Sequence, residues 1–216
     1  LFRSFSPSSS PFRYFPNLSD LTSGAPTTWE VLPGVDRTLN FRMTVRDNNS
    51  GAGCTGEDDM VLTIDGDSGP FEVTAPNTTV SWSALSNQTI TWDVANSNLA
   101  PVNAANVDIL LSTDGGLTYP ISLASKVPND GSHLITLPNN PTTSARIMVR
   151  ATDNIFFDIS DGDFEIVSGS TNDFIYNVTP DSRPICAQTS TDFTISTQAL
   201  GVYTNDIDLT VTGLPA

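Results

Sequence analysis

The chain has 216 residues and carries 24 acidic against 9 basic side chains, a formal net charge of −15 at pH 7. This charge excludes a nucleic-acid-binding protein that follows the phosphate backbone, because such a protein needs a basic surface. Hydrophobic residues make up 38% of the chain, which is enough for a buried core, and no run of about 18 apolar residues predicts a membrane span.

The residue types favour strands and turns over helices. Thr, Ser, Asn, Asp, Gly and Pro are abundant, lysine occurs once, at Lys126, and no segment repeats apolar residues with a helical period over three turns. The composition therefore predicts an all-β protein. Its low lysine content is also typical of exported proteins, so we expect a secreted or cell-surface location, and the two ends of the chain suggest a piece of a longer protein.

Residues 1–28 are rich in aromatic residues, serine and proline, and we expect their rings to pack onto a neighbouring core. Two segments of alternating apolar and polar residues then flank the loop 47–54, which predicts a β-hairpin with one half-buried face. The apolar positions of that face are Leu39, Phe41, Met43, Val45, Met60, Leu62 and Ile64. Too few strands precede them for a complete sandwich, so residues 1–69 are predicted to be the C-terminal part of a β-sandwich module.

After a polar linker at residues 65–70, strand signals recur at the spacing of a β-sandwich. They cover residues 71–75, 79–82, 88–94, 105–112, 119–124, 132–137, 145–152 and 163–167. We therefore predict one complete β-sandwich domain over residues 70–167.

A second linker at residues 168–172 precedes alternating patterns near residues 174–178, 193–195 and 207–211. These patterns predict that residues 168–216 are the N-terminal part of a further immunoglobulin-like module. The whole chain is thus predicted to be a tandem of immunoglobulin- or fibronectin-like β-sandwich modules, with the first and the last truncated.

The sequence supplies no self-sufficient catalytic centre. A serine or cysteine nucleophile needs a base, normally histidine, and a catalytic zinc ion needs three protein ligands. The one histidine, His133, lies inside a predicted strand, where we interpret it as a sheet residue. We therefore predict that this segment is not an enzyme, and no catalytic or cofactor-binding residue is assigned to it.

One acidic cluster could bind calcium. Asp153, Asp158, Asp161 and Asp163 lie close together in the sequence around Gly162, and Ca²⁺ accepts six to eight oxygen ligands without strict geometry. The spacing differs from that of an EF-hand loop, and a turn whose carboxylates face solvent is the alternative. These four residues are the candidate calcium ligands of the chain.

A second motif points to structure. Residues 112–119 read Ser-Thr-Asp-Gly-Gly-Leu-Thr-Tyr and fit the Asp-box pattern Ser-x-Asp-x-Gly-x-Thr-aromatic. In such a turn the aspartate accepts backbone N–H groups and a glycine adopts a positive φ. We interpret the motif as a turn that stabilises its hairpin.

Cys54 and Cys186 lie 132 positions apart, in different predicted modules. They either pair with each other or each lacks a partner that lies outside this segment. The second interpretation is favoured, because distant modules rarely bring two cysteines within bridging distance.

An ordered series of short motifs resembles the region that follows the catalytic domain in large secreted bacterial reprolysin-like zinc metalloproteases. The motifs extend over about residues 1–167. They are Phe2-Arg3-Ser4-Phe5-Ser6-Pro7, Arg13-Tyr14-Phe15-Pro16, Trp29-Glu30-Val31-Leu32-Pro33, the run from Arg37 to Asn48, Gly69-Pro70-Phe71-Glu72-Val73-Thr74, Thr91-Trp92-Asp93-Val94, the run from Val107 to Ser112, and Asp163-Phe164-Glu165-Ile166.

The resemblance implies a parent that is an exported zinc-dependent peptidase, in which the zinc-binding His-Glu-x-x-His helix lies outside this segment. The chain would then be a non-catalytic accessory region that acts as a spacer or engages a substrate or surface. Its partners would be its own catalytic domain, neighbouring modules and a protein or polysaccharide substrate. The alternative is an adhesin or carbohydrate-binding module of a cell-surface protein, with Trp29, Trp82 or Tyr119 on its binding surface.

Overall fold

The structure is a computed structural model, and it describes residues 9–10, 12–24, 29–169, 173–180, 182, 191–200 and 206–210. The chain forms two compact units, Leu1–Val167 and Ser168–Ala216. The structure does not divide the first unit near residue 70, so the domain boundary proposed there stays a prediction.

The regular secondary structure of the described residues is almost entirely β, which confirms the predicted all-β class. The strands and the one short helix follow in chain order. They are α1 (Leu18–Ser23), β1 (Arg37–Arg46), β2 (Thr55–Ile64), β3 (Glu72–Ala75), β4 (Ser81–Ser83), β5 (Asn87–Asp93), β6 (Asn106–Ser112), β7 (Ile121–Pro128), β8 (Ser132–Thr136), β9 (Thr142–Ala151), β10 (Phe157–Ile159), β11 (Phe164–Val167), β12 (Asp173–Thr179) and β13 (Thr194–Leu200).

Two sheets pack face to face between residues 72 and 167. The smaller sheet has the order β3-β5-β8, and the larger has the order β4-β11-β9-β6-β7, with β10 paired to β9. All these pairs are antiparallel except β4 with β11, which is parallel. The chain therefore starts in the small sheet with β3 and crosses to the edge of the large sheet with β4.

The core between the two sheets consists of the inward side chains of both. The small sheet contributes Val73, Ile90, Trp92 and Ile135, and the large sheet contributes Val107, Ile109, Leu111, Ala145, Ile147, Val149, Phe164 and Ile166. Alternation along each strand puts these residues on one face, so the period-two pattern of the sequence directly specifies this core.

The predicted strand positions agree closely with the observed ones, with two omissions. Strand β10 is only three residues long, and α1 has six residues, too few for a helical period to show in the sequence. Local signals do mark α1, because the Asn17 side chain accepts a hydrogen bond from the Asp20 N–H at 3.0 Å and Gly24 ends the helix with φ 61°.

The outer face of the large sheet carries a second, smaller apolar cluster. Leu110, Met148 and Ile159 are buried there. Tyr14, Leu18 and Leu21 pack against them, with the rings of Tyr14 and Phe157 at 5.1 Å. The prediction that the N-terminal aromatics pack onto a core is therefore confirmed for Tyr14.

Strands β1 and β2 pair in register, from Arg37 with Ile64 to Arg46 with Thr55, as the sequence predicts. The burial of their apolar face is only partly as predicted. Leu39, Phe41, Leu62 and Ile64 are half-buried, whereas Met43, Val45 and Met60 are 50–62% exposed. Within the described residues, the end of the hairpin near the turn thus lacks the cover that alternation alone would predict.

In the second unit, β12 and β13 form an antiparallel hairpin. The pattern near residues 207–211 predicts a further strand, but residues 206–210 are in no strand. Cys186 lies outside the described residues.

Candidate functional site

Asp158, the central residue of the predicted calcium cluster, links two sheets. It lies on β10, and its Oδ2 accepts a hydrogen bond of 2.7 Å from the backbone N–H of Val73 on β3. Burial raises the pKa of Asp158 to about 6, and the nearby charges of Asp161 and Glu72 act in the same direction. The Asp158 carboxylate thus accepts a hydrogen bond from the edge of β3 that does not pair with β5.

Asp161 connects the turn after β10 to the loop after β3. The Asn77 side chain donates to Asp161 Oδ2 at 3.0 Å and to the Val73 carbonyl at 2.7 Å, and its Oδ1 accepts from the Asp161 N–H at 2.9 Å. Asn77 and Asp161 are 84 positions apart, so these bonds hold two distant loops together.

Asp163 faces the large sheet, and Asp153 is exposed. The Asp163 carboxylate pairs with the Arg146 guanidinium at 2.5 Å, and Arg146 also donates to the carbonyl of Ser160 at 3.3 Å. The side chain of Arg146 is almost fully buried, so this ion pair satisfies a buried charge.

Three of the four candidate calcium ligands therefore already use carboxylate oxygens in bonds within the fold. In the part of the chain that the structure describes, no three His, Cys, Asp or Glu side chains are grouped so that they could hold a metal ion. Calcium binding at Asp153, Asp158, Asp161 and Asp163 stays a prediction.

The Asp-box turn has the geometry that its motif predicts. Asp114 Oδ1 accepts from the Ser112 hydroxyl at 2.6 Å and from the N–H groups of Leu117 and Thr118 at 3.1 and 2.9 Å, and Oδ2 accepts from the Thr118 hydroxyl at 2.6 Å. Burial raises the pKa of Asp114, but the hydrogen bonds from Ser112 and Thr118 outweigh it and hold the pKa below its usual range. Asp114 thus stabilises its own turn.

Gly116 lets α1 approach this turn closely. Its φ is +87°, and a Cβ atom there would lie 2.7 Å from the Thr22 methyl and 2.9 Å from Arg146 Cδ. The motif glycine therefore serves both the turn conformation and the packing of α1.

The remaining candidate residues occupy ordinary positions in the fold. His133 is half-buried on β8, an edge strand, opposite Ile90, in agreement with its interpretation as a sheet residue. Cys54 is exposed and carries a free thiol.

The three aromatic residues considered for carbohydrate binding do not form one surface. Trp82 packs against Phe164, with ring centroids 5.0 Å apart, and its side chain contacts the sandwich core. Tyr119 belongs to the outer apolar cluster, and its hydroxyl is buried. Trp29 is 43% exposed, on the segment before β1.

One buried polar side chain of the sandwich, that of Asn129, is not indicated by any pattern in the sequence. Asn129, between β7 and β8, is 3% exposed, and its Oδ1 accepts a hydrogen bond of 2.8 Å from Trp92 Nε1. Its Nδ2 donates to Ser97 Oγ at 3.0 Å and to the Ala104 carbonyl at 2.9 Å. No local sequence pattern predicts that this loop Asn is buried and hydrogen-bonded, because its partners are 25 to 37 positions away.

No known protein-family model matches the chain, and no curated protein matches it significantly. No helix among the described residues is both long and apolar enough to cross a membrane. The function is therefore inferred from the residues and the fold.

Proposed function

We propose that the chain is a non-catalytic accessory β-sandwich region of a secreted multidomain zinc metallopeptidase. The proposal rests on the motif series that resembles the region after the catalytic domain of reprolysin-like zinc metalloproteases. In this role, the sandwich spaces the catalytic domain from its surroundings or engages a substrate or surface.

The hydrogen bonds and ion pairs of the aspartates are the structural observation that supports the proposal. Asp114, Asp158, Asp161 and Asp163 bind backbone groups or neighbouring side chains of the fold itself. Side chains arranged in this way stabilise loops and sheet edges, which is what a spacer or docking module requires. The zinc ion of the proposed parent would be bound by residues outside this chain.

The strand order supports an immunoglobulin-like identity for residues 72–167. The first strand is divided between the sheets, since β3 pairs with β5 and β4 pairs with β11 in parallel. The core lies between a sheet of three strands and a sheet of six. Two antiparallel sheets of about seven to nine strands in total are typical of immunoglobulin-like domains. We propose this class for the complete domain.

The coding sequence upstream of Leu1 tests the proposal most directly. A His-Glu-x-x-His motif in the same reading frame is the expected result, and a complete upstream sequence without any zinc-peptidase motif would refute the proposal. The purified chain should show no hydrolysis of casein in the presence of zinc. Hydrolysis that a chelator abolishes would place a catalytic centre inside the chain instead.

A further inference from the structure

The hairpin of β1 and β2 has one apolar face, which we call the hairpin face. Residues directly opposite each other in an antiparallel pair share a face, and the register places seven apolar side chains on this one. They are Leu39, Phe41, Met43, Val45, Met60, Leu62 and Ile64. Phe15 packs against Phe41 at a centroid distance of 5.7 Å, but Met43, Val45 and Met60 are at least half exposed.

Two residues of opposite charge, Arg37 and Asp58, lie on the hairpin face at different positions along the strands. Arg37 is opposite Ile64 at one end, and Asp58 is opposite Met43, six positions further along β1. Both are exposed, and neither has an ion-pair partner among the described residues. On the other face, by contrast, Arg42 pairs with Asp59 at 2.6 Å and with Glu57 at 3.3 Å.

The charges of the two hairpin strands balance within a strongly acidic chain. Strand β1 carries three arginines and strand β2 carries three acidic residues, so the two strands have no net charge, whereas the whole chain has −15. Two chains of this charge repel each other over most of their surfaces. The hairpin is a place where two copies can meet without that repulsion.

We propose that the hairpin face is an interface between two copies of this chain, related by a two-fold axis that runs across the strands. Such an axis reverses the strand direction. It places the cross-strand pair that contains Arg37 over the second copy's pair that contains Asp58, and the pair that contains Leu39 over the second copy's pair that contains Phe41. Sheets stack about 10 Å apart and neighbouring strands lie about 4.8 Å apart, so Arg37 of each copy reaches Asp58 of the other.

The same operation covers the exposed Met43 and Met60, whereas Val45 lies beyond the part of the strands that overlaps with the second copy. Met43 stacks over Arg37 and Ile64 of the second copy, and the pair Leu39 and Leu62 stacks over the second copy's Phe41 and Met60. A two-stranded ribbon alone is marginally stable, and a second apolar layer stabilises it because the layer buries its apolar face. The two-fold arrangement is isologous and closes with two copies, so it predicts a dimer without larger assemblies.

Sedimentation equilibrium of the full chain tests the proposal, in reducing buffer so that the exposed Cys54 cannot link copies. We expect a mass twice the 23.1 kDa of one chain. Arg37→Asp and Asp58→Arg should each raise the dissociation constant about tenfold or more, because each places like charges together. The double variant Arg37→Asp/Asp58→Arg should restore the dimer.

Two controls separate this interface from other surfaces. Thr38→Asp adds a negative charge next to Arg37 but on the opposite face, so the dimer should persist, whereas Met43→Asp should dissociate it. Circular dichroism checks that each variant is folded. A chain that is monomeric at all accessible concentrations would overturn the proposal, as expected if other polypeptide covers the hairpin face. So would a dimer that is insensitive to both single reversals, or folded double variants that stay monomeric.

Discussion

Asn129 is the residue at which the structure makes its sharpest prediction about stability. Its side chain occupies the space between the β5–β6 loop and the indole of Trp92, and all three of its hydrogen-bonding partners are 4% exposed or less. Replacing it with alanine leaves the Trp92 N–H and the Ala104 carbonyl buried without a partner. A buried polar group that loses its partner costs about 1–3 kcal/mol.

Two such groups, together with the small cavity that the missing amide leaves, predict a loss of about 3–5 kcal/mol for Asn129→Ala. A domain of about 100 residues loses about 4–8 °C of its melting temperature per kcal/mol, so its midpoint should fall by roughly 12–40 °C. Such a loss is a large part of the total stability of a typical domain, which is about 5–15 kcal/mol.

Urea denaturation followed by circular dichroism measures this loss, and a double-mutant cycle with Trp92→Phe assigns it. Since Trp92→Phe already removes the indole donor, the two substitutions together should cost about 1–2 kcal/mol less than the sum of the single effects. Asn98→Ala is the control, because the exposed Asn98 side chain donates one bond of 3.3 Å to the backbone carbonyl of Asn129 and makes no hydrogen bond with the Asn129 side-chain amide. A loss below about 1 kcal/mol for Asn129→Ala, or strict additivity in the cycle, would refute the reasoning.

Three further predictions concern Asp158, the glycines of the Asp-box turn and Asp114. Asp158→Asn should stabilise the fold by up to about 3 kcal/mol at pH 8 and change little at pH 4, because the pKa of about 6 favours the protonated form in the folded state and that contribution is lost as the pH rises through 6. Urea titrations at both pH values measure this, and equal effects would contradict it. Gly116→Ala should cost about 2–4 kcal/mol through strain and the contact with Thr22, whereas Gly115→Ala, with φ +75° and open space, should cost only about 1 kcal/mol in the same melting experiment. Asp114→Ala should cost about 2 kcal/mol through its lost turn hydrogen bonds, with Asp114→Asn intermediate, and thermal melts that rank the two variants in the opposite order would contradict this role.

Short-range patterns were sufficient to predict the sandwich strands and the Asp-box turn. Alternation along β5, β6 and β9 places Ile90, Ile109 and Ile147 on inward faces whatever the neighbours are, because successive side chains of a strand point to opposite sides. The bonds of Asp114 likewise reach no further than four residues along the chain.

Contacts between distant segments needed the folded chain. The sequence grouped Asp153, Asp158, Asp161 and Asp163 as metal ligands, but in the fold Asp158 meets Val73, which is 85 positions away. The apolar pattern of β1 predicted a covered face, yet alternation shows only that one face is apolar and cannot show which element covers it. Burial depends on a second surface, and a second surface exists only once the chain has folded or found a partner.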